Sequence, residues 1–155
     1  MTFSAVPVKN PAAAHVLVVD DEALIRWSLA EVLSQSGHTV TEAGDAKETL
    51  RVVTRTANPP DVILLDYRLP DSNDLNLFAA IKRALPEIPI ILMSAYGSPE
   101  ITAAALALGA YRVVSKPFEV HDLVTLVQEA RASVRRRDCR VDILGHRAAC
   151  HRPRR

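Results

Sequence analysis

A doubly wound α/β fold with a five-stranded parallel sheet is the architecture this sequence predicts, and three features carry the prediction. Four apolar runs of strand length, HVLVVDD (15–21), DVILLD (61–66), PIILMS (89–94) and YRVVSK (111–116), each end in a reactive polar residue. Their apolar residues are continuous rather than alternating, as in strands buried on both faces. Segments with helical spacing and helix start or stop signals separate them. Strand and helix alternating through short loops implies a parallel sheet with right-handed crossovers.

The elements follow in order. HVLVV (15–19) is β1. The stretch Ala23–Gln35, α1, places Leu24, Leu29, Val32 and Leu33 on one helical face, and Gly37 stops it. Trp27 is read as covering apolar surface on that helix. HTVTEA (38–43) is strand-like and forms β2. Asp45 followed by Glu48 is a capping-box start for α2, which runs to about Arg55. Asn58-Pro59-Pro60 breaks the chain before β3, VILLD (62–66). A polar loop, YRLPDSND, precedes α3 over Leu75–Leu85, and Pro86 and Pro89 bracket the turn into β4, IPIILM. Ser98-Pro99-Glu100 starts α4 with Ser at the N-cap, Pro at the first helical position and acid in the first turn, and Gly109 ends it. YRVVS is β5, and Val120–Arg136 is α5, with Leu123, Val124, Leu126 and Val127 apolar.

The 155 residues suffice for one domain with a sizeable core and some chain to spare, and 48% apolar content argues against wholesale disorder. The formal charge of +1 hides an asymmetry. Residues 131–155 carry nine Arg against Asp138 and Asp142, a net of +7, which leaves −6 for residues 1–130. Three segments are expected: a disordered lead over 1–13, a domain over 14–131 and an Arg-rich tail over 132–155. The tail has three readings: it ends the last helix, where cations favour the dipole, it contacts nucleic acid or an acidic partner by charge, or it is a linker stub. Disorder or a stub is favoured, because little apolar or aromatic residue is present there. Both cysteines, Cys139 and Cys150, lie in the tail, so the core owes nothing to disulfides, which suits a reducing compartment. With His146 and His151 they fit no common zinc spacing. The N-terminus lacks the pattern of a signal peptide and no stretch approaches the length of a membrane span, so a cytoplasmic protein with no membrane partner is expected.

In a doubly wound sheet ligands sit outside the carboxyl ends of the strands, where this order brings Asp20, Asp21, Asp66, Ser94 and Lys116 together. Like charges held that close repel steeply as the dielectric falls, so the cluster calls for a cation. Carboxylate oxygens suit a hard divalent ion, Mg2+ above all, and the absence of His and Cys argues against zinc. A cation beside Asp66 could neutralise a phosphoryl group in transfer, a carboxylate can accept that group as an acyl phosphate, and Lys116 and Ser94 can supply a point charge and a hydroxyl to its oxygens. Lys116-Pro117 is a candidate cis peptide bond. Asp61, Asp71 and Asp122 are read as turn or cap residues, Asp45 as a cap, Tyr111 as packing or surface, and His15, His38 and His121 carry no chemistry in this reading.

VLVVDDE, LLDYRLPDS, ILMSAYGSPE, LGAY and SKPFE, in that order and at that spacing, resemble the receiver domain of two-component response regulators over roughly Ala14–Arg131. IRWSL, AYGSPE and LGAYRVVSKPFE look most like receivers of sigma-54-dependent transcriptional activators of the nitrogen-regulatory type. The resemblance implies a flavodoxin-like (βα)5 receiver fold. It makes Asp66 the phosphoacceptor, with Asp20, Asp21, Asp66 and the Arg68 backbone carbonyl holding Mg2+, Ser94 the switch hydroxyl and Lys116 the phosphate-binding lysine. It also implies a sensor histidine kinase as phosphohistidine donor and a homodimer through the α4–β5–α5 face. No GxxxxGK(S/T) phosphate loop and no helix-turn-helix follow residue 131, so the chain reads as a receiver module or as the receiver of an activator without its output domain.

Two positions depart from the family pattern. The site three residues before the lysine, often an aromatic that swings inward, is Val113, and Asn73-Asp74 replaces a usual Asp-Gly after the acceptor. If that loop needs a left-handed backbone, Asn and Asp are the least costly substitutes. A different class remains open: a hydrolase with an aspartyl nucleophile on a similar sheet. Such an enzyme wants a second acid two residues after the nucleophile, and Arg68 stands there, so an acceptor rather than a turnover enzyme is expected.

Overall fold

The computed structural model describes residues 13–95 and 98–138, without the side chains of the last four. The expected lead up to residue 12 and the tail from residue 139, with its cysteines and His146 and His151, lie outside the described residues. The elements are β1 His15–Val19, α1 Ala23–Gln35, β2 Thr39–Ala43, α2 Ala46–Arg55, β3 Val62–Asp66, α3 Asn76–Ala84, β4 Ile90–Ser94, α4 Pro99–Ala107, β5 Arg112–Ser115 and α5 Val120–Asp138. All strand pairs are parallel, in the order β2-β1-β3-β4-β5. The chain leaves β1 for one side of the sheet and passes to β3 on the other, so the topological switch point falls between β1 and β3.

Alternation along each strand divides the core into two layers. Leu17, Val19, Ile63, Leu65, Ile90 and Leu92 pack with Leu77, Phe78 and Ile81 of α3, Val53 of α2 and Ala105 of α4. Val16, Val18, Val62, Leu64, Ile91 and Met93 pack with Leu29 and Leu33 of α1 and Leu123, Val124 and Val127 of α5. Burying one such side chain stabilises by roughly 1.5–3 kcal/mol.

α1 does not bury the face expected of it. Leu29 and Leu33 are fully buried, whereas Leu24 is 74% and Trp27 60% exposed. At 3.6 residues per turn Leu24 lies about 140° around the helix from Leu29 and opposite Leu33. Leu24 and Trp27 therefore share the outward side of the helix, and Trp27 does not cover the apolar core.

Helix starts follow the sequence signals with two changes. The Asp45 carboxylate accepts the Glu48 N–H at 2.7 Å, and Glu48 reaches back to the Gly44 N–H at 3.0 Å, one residue before the usual reciprocal position. Asp71, from the loop after β3, accepts from Ala46 and Lys47 at 2.8 and 3.1 Å, so it caps α2 across the fold rather than a turn of its own. These bonds, that to Ala46 foremost, hold its carboxyl below the usual range. Ser98 occupies the N-cap of α4 with Pro99 behind it, yet its hydroxyl bonds Glu100 instead of a helix N–H. Gly37 and Gly109, with φ of 88° and 103°, end α1 and α4 in the left-handed region. Asn73 and Asp74 do not share that backbone: no described residue other than Gly has positive φ.

At the pole opposite the strand carboxyl ends, Asp61 accepts the His15 N–H at 2.8 Å and pairs with Arg131 of α5. His38, 6% exposed, accepts the Ala14 N–H on Nδ1 at 3.0 Å. That bond needs an unprotonated Nδ1. Burial, then the Arg131 charge, lower the His38 pKa from 6.5. The unfolded chain therefore takes up the proton first, and this contribution to stability is complete above about pH 6.5 and is lost as pH falls below it. The stability difference between wild type and His38→Asn should accordingly shrink as pH falls from about 7 to about 5.5, read by chemical denaturation at each pH. In the core, Phe78→Ala, at a side chain 1% exposed, should cost about 3–5 kcal/mol in the same measurement.

Candidate functional site

Each site residue sits where a strand runs out. Asp20 follows β1, Asp66 ends β3, Ser94 ends β4 and Lys116 follows β5. Asp20 is fully buried, Ser94 and Asp66 are 3% and 6% exposed, and Asp21 faces solvent. Carboxylate oxygens of Asp20, Asp21 and Asp66 all lie within 4.8 Å of one another. Lys116 joins them: its Nζ lies 2.8 Å from Asp20 Oδ2 and 3.2 Å from Asp66 Oδ2. The Lys116 N–H donates to the Ser94 carbonyl at 2.7 Å, tying the two strand ends together. The Lys116-Pro117 bond is cis. The structure thus gathers the five residues expected from the strand ends.

Three carboxylates against one ammonium leave a formal charge of −2. Two unit charges about 4 Å apart interact by roughly 4 kcal/mol at an effective dielectric of 20, too much to leave unbalanced. Burial first, and then the Asp20 charge, raise the Asp66 pKa from 3.8 to about 6, against the opposing pull of Lys116 and the Arg68 N–H. Burial by itself would lower Lys116, but the hydrogen bond to Asp20 and the charges of Asp66 and Asp20 outweigh it, and its pKa is raised. The donor set is all oxygen, carries the charge a divalent ion would cancel, and suits Mg2+ rather than zinc. Asp20 has both oxygens engaged, Oδ1 by the Glu22 N–H at 2.9 Å and Oδ2 by Lys116.

Arg68 enters the site through its N–H, which lies 3.4 Å from Asp66 Oδ1. Val113 pairs with Leu92 and is half-buried against the layer formed with α3 and α4. Tyr111 packs against the other layer, with the Arg112 guanidinium 5.9 Å from its ring centroid. Sequence reasoning missed Arg26, whose Nη1 donates to the Asp20 carbonyl at 2.6 Å, and the reach of Asp71 to α2. The Asp71 contact spans 25 residues and the Arg26 contact only six, and neither follows a cap or helix-pair spacing that the local pattern would flag.

A family model described as the response regulator receiver domain matches residues 16–128. The DNA-binding transcriptional regulator NtrC of Escherichia coli is 36% identical over 115 residues, 74% of this chain and 24% of that protein. NtrC of Rhizobium meliloti is 33% identical over 129 residues, 83% of this chain and 26% of the relative. This chain therefore spans about a quarter of the length of these curated relatives. The receiver domain of NtrX from Brucella abortus superposes with a TM-score of 0.69 at 35% identity, covering 76% of this chain and 98% of that one. A CheY-like receiver domain protein from Methanospirillum hungatei reaches 0.76 at 26% identity, covering 81% and 98%. No helix among the described residues is long and apolar enough to cross a membrane. Five parallel strands in the order β2-β1-β3-β4-β5, an acidic cluster at their switch point and these matches together make the chain a member of the response regulator receiver domain family, similar to the receivers of NtrC-type transcription regulators.

Proposed function

We propose that this chain is a phosphoacceptor module and that Asp66 is the residue that takes the phosphoryl group. The observation that carries the reading is the convergence of Asp20, Asp21 and Asp66 within 4.8 Å beside the Lys116 ammonium. An Asp66 carboxylate oxygen attacks phosphorus, the bond from phosphorus to the donor's imidazole nitrogen breaks, and the electron pair leaves with the imidazole. The product is an acyl phosphate on Asp66. The donor is a sensor histidine kinase, and the chain acts as acceptor rather than as a turnover enzyme. Asp20, Asp21 and Asp66, with the Arg68 backbone carbonyl, would hold Mg2+, which neutralises phosphoryl charge when bound. Lys116 supplies a fixed positive charge to the phosphoryl oxygens and Ser94 a hydroxyl.

Phosphorylation adds about two negative charges at a site whose local donors can shift toward them. Ser94 and Lys116, joined by the hydrogen bond between their strand ends, would carry that shift to α4, β5 and α5. Leu106 of α4 and Leu108, its C-cap, are 49% and 48% exposed, which supports self-association on that face. The readout of the switch would be transcription control, as the likeness to NtrC suggests.

Incubation with a small phosphoryl donor such as acetyl phosphate should label the wild type in Mg2+, with no label under chelation and none in Asp66→Asn. Equal labelling of that variant would overturn the assignment. The raised Asp66 pKa has a consequence of its own for the metal-free protein. Between the unfolded value of 3.8 and about 6 the folded state holds the extra proton, so ionising Asp66 destabilises the fold as pH rises through that window. In chelator at pH 7, Asp66→Asn should melt at a higher temperature than wild type. The gap should close below about pH 4 and should narrow when Mg2+ is added to the wild type.

A further inference from the structure

We propose that Arg26 is a positioning residue for the cation-binding acids, holding the Asp20–Asp21 peptide in the orientation that lets both carboxylates converge on Asp66. The inference rests on the cation-binding reading of the cluster.

The need arises from unequal support. Asp20 is buried, with both carboxylate oxygens taken by the Glu22 N–H and Lys116. Asp21 is exposed, so its direction is set by its backbone. Rotation of the peptide between them would swing Asp21 outward, the way repulsion from Asp20 and Asp66 pushes it. The Asp20 N–H is held by the Ala43 carbonyl at 3.2 Å, and the Asp20 carbonyl by Arg26 Nη1 at 2.6 Å. The second bond is charge-assisted and short; the first fixes the peptide entering Asp20 and the second the Asp20–Asp21 peptide itself, so Asp20 is held on both sides.

Arg26 is itself fixed at three points. Its N–H closes the first turn of α1 on the Glu22 carbonyl at 3.0 Å. Its Nε lies 3.3 Å from Glu42 Oε1 on β2. A Cβ placed on Gly44 would lie 3.3 Å from Nη1, so the missing side chain leaves the guanidinium its place. A bare surface ion pair between Arg26 and Glu42, side chains 24% and 45% exposed, would contribute little. The forked guanidinium makes that pair and the carbonyl bond at once, which a lysine ammonium on a flexible stem would do with less precision.

Calorimetric Mg2+ titration, paired with the melting temperature of the metal-free protein, tests the role. Arg26→Gln should bind Mg2+ roughly 10-fold more weakly. Glu42→Gln, which leaves the bond to Asp20 in place, should lose less than about threefold. Gly44→Ala changes neither acid nor arginine; its Cβ pushes Nη1 off the 2.6 Å bond to the Asp20 carbonyl by a few tenths of an ångström and should weaken Mg2+ binding, by less than Arg26→Gln does. A lowered melting temperature with wild-type Mg2+ affinity in Arg26→Gln overturns the proposal. If that variant does not fold, unchanged affinity in Gly44→Ala overturns it instead. Wild type and Asp21→Asn separate the two readings: wild type without saturable Mg2+ binding overturns the cation site and this role with it. Binding lost in Asp21→Asn but kept in Arg26→Gln overturns the role of Arg26 alone.

Discussion

The mutual repulsion of Asp20, Asp21 and Asp66 is the constraint around which the rest of the domain is arranged. Three carboxylates within 4.8 Å stay together because their backbones are anchored in strands buried on both faces, where slippage would turn apolar side chains to the wrong layer. Lys116 is the internal counterweight, and it comes from β5, three strands away from β1 in the sheet order. Its two ion pairs are short and largely shielded from water, so removing the Lys116 ammonium would leave buried carboxylates facing one another without compensation. The residual charge of −2 is what a divalent cation would cancel.

Charge at the site is connected to shape by backbone links rather than by a large movable ring. Lys116 is tied to Ser94 through the main chain, and Tyr67 to Met93 in the same way at 2.8 Å, so the ends of β3, β4 and β5 form one hydrogen-bonded tract. Asp71 extends that tract to α2, because the loop leaving Asp66 caps the helix at two N–H groups. Val113 sits where a larger side chain would have to rotate through the α3 and α4 layer, and a half-buried valine has no such alternative position to offer. Under the proposed acceptor role, a change at Asp66 would have strand ends and a helix cap to travel along.

Much of this was legible in the residues themselves. Continuous apolar runs marked β1, β3 and β4, and Asp45, Pro99 and Gly109 marked helix boundaries that fall within a residue or so of those observed. The site was legible for the same reason, since Asp20, Asp66, Ser94 and Lys116 each end an apolar run, and strand direction brings them to one edge. What failed was phase and partner. Leu24 was assigned to the core face of α1, although a helix at about 100° per residue carries it to the opposite side from Leu33. His38 looked inert, yet its neighbours in space are Ala14 and Arg131 rather than the residues flanking it.

Sequence alone determined the order of elements, the chemistry of the strand ends and the demand for a cation, because these depend on residue type and short-range periodicity. Only the tertiary structure decided that Asp71 caps α2, that Arg26 grips the Asp20 carbonyl and that Arg131 meets Asp61 at the far pole. Each of those contacts joins segments whose approach is set by how helices settle on the two faces of the sheet. Side-chain reach and packing geometry fix such pairings, and neither is written in the local pattern of the chain.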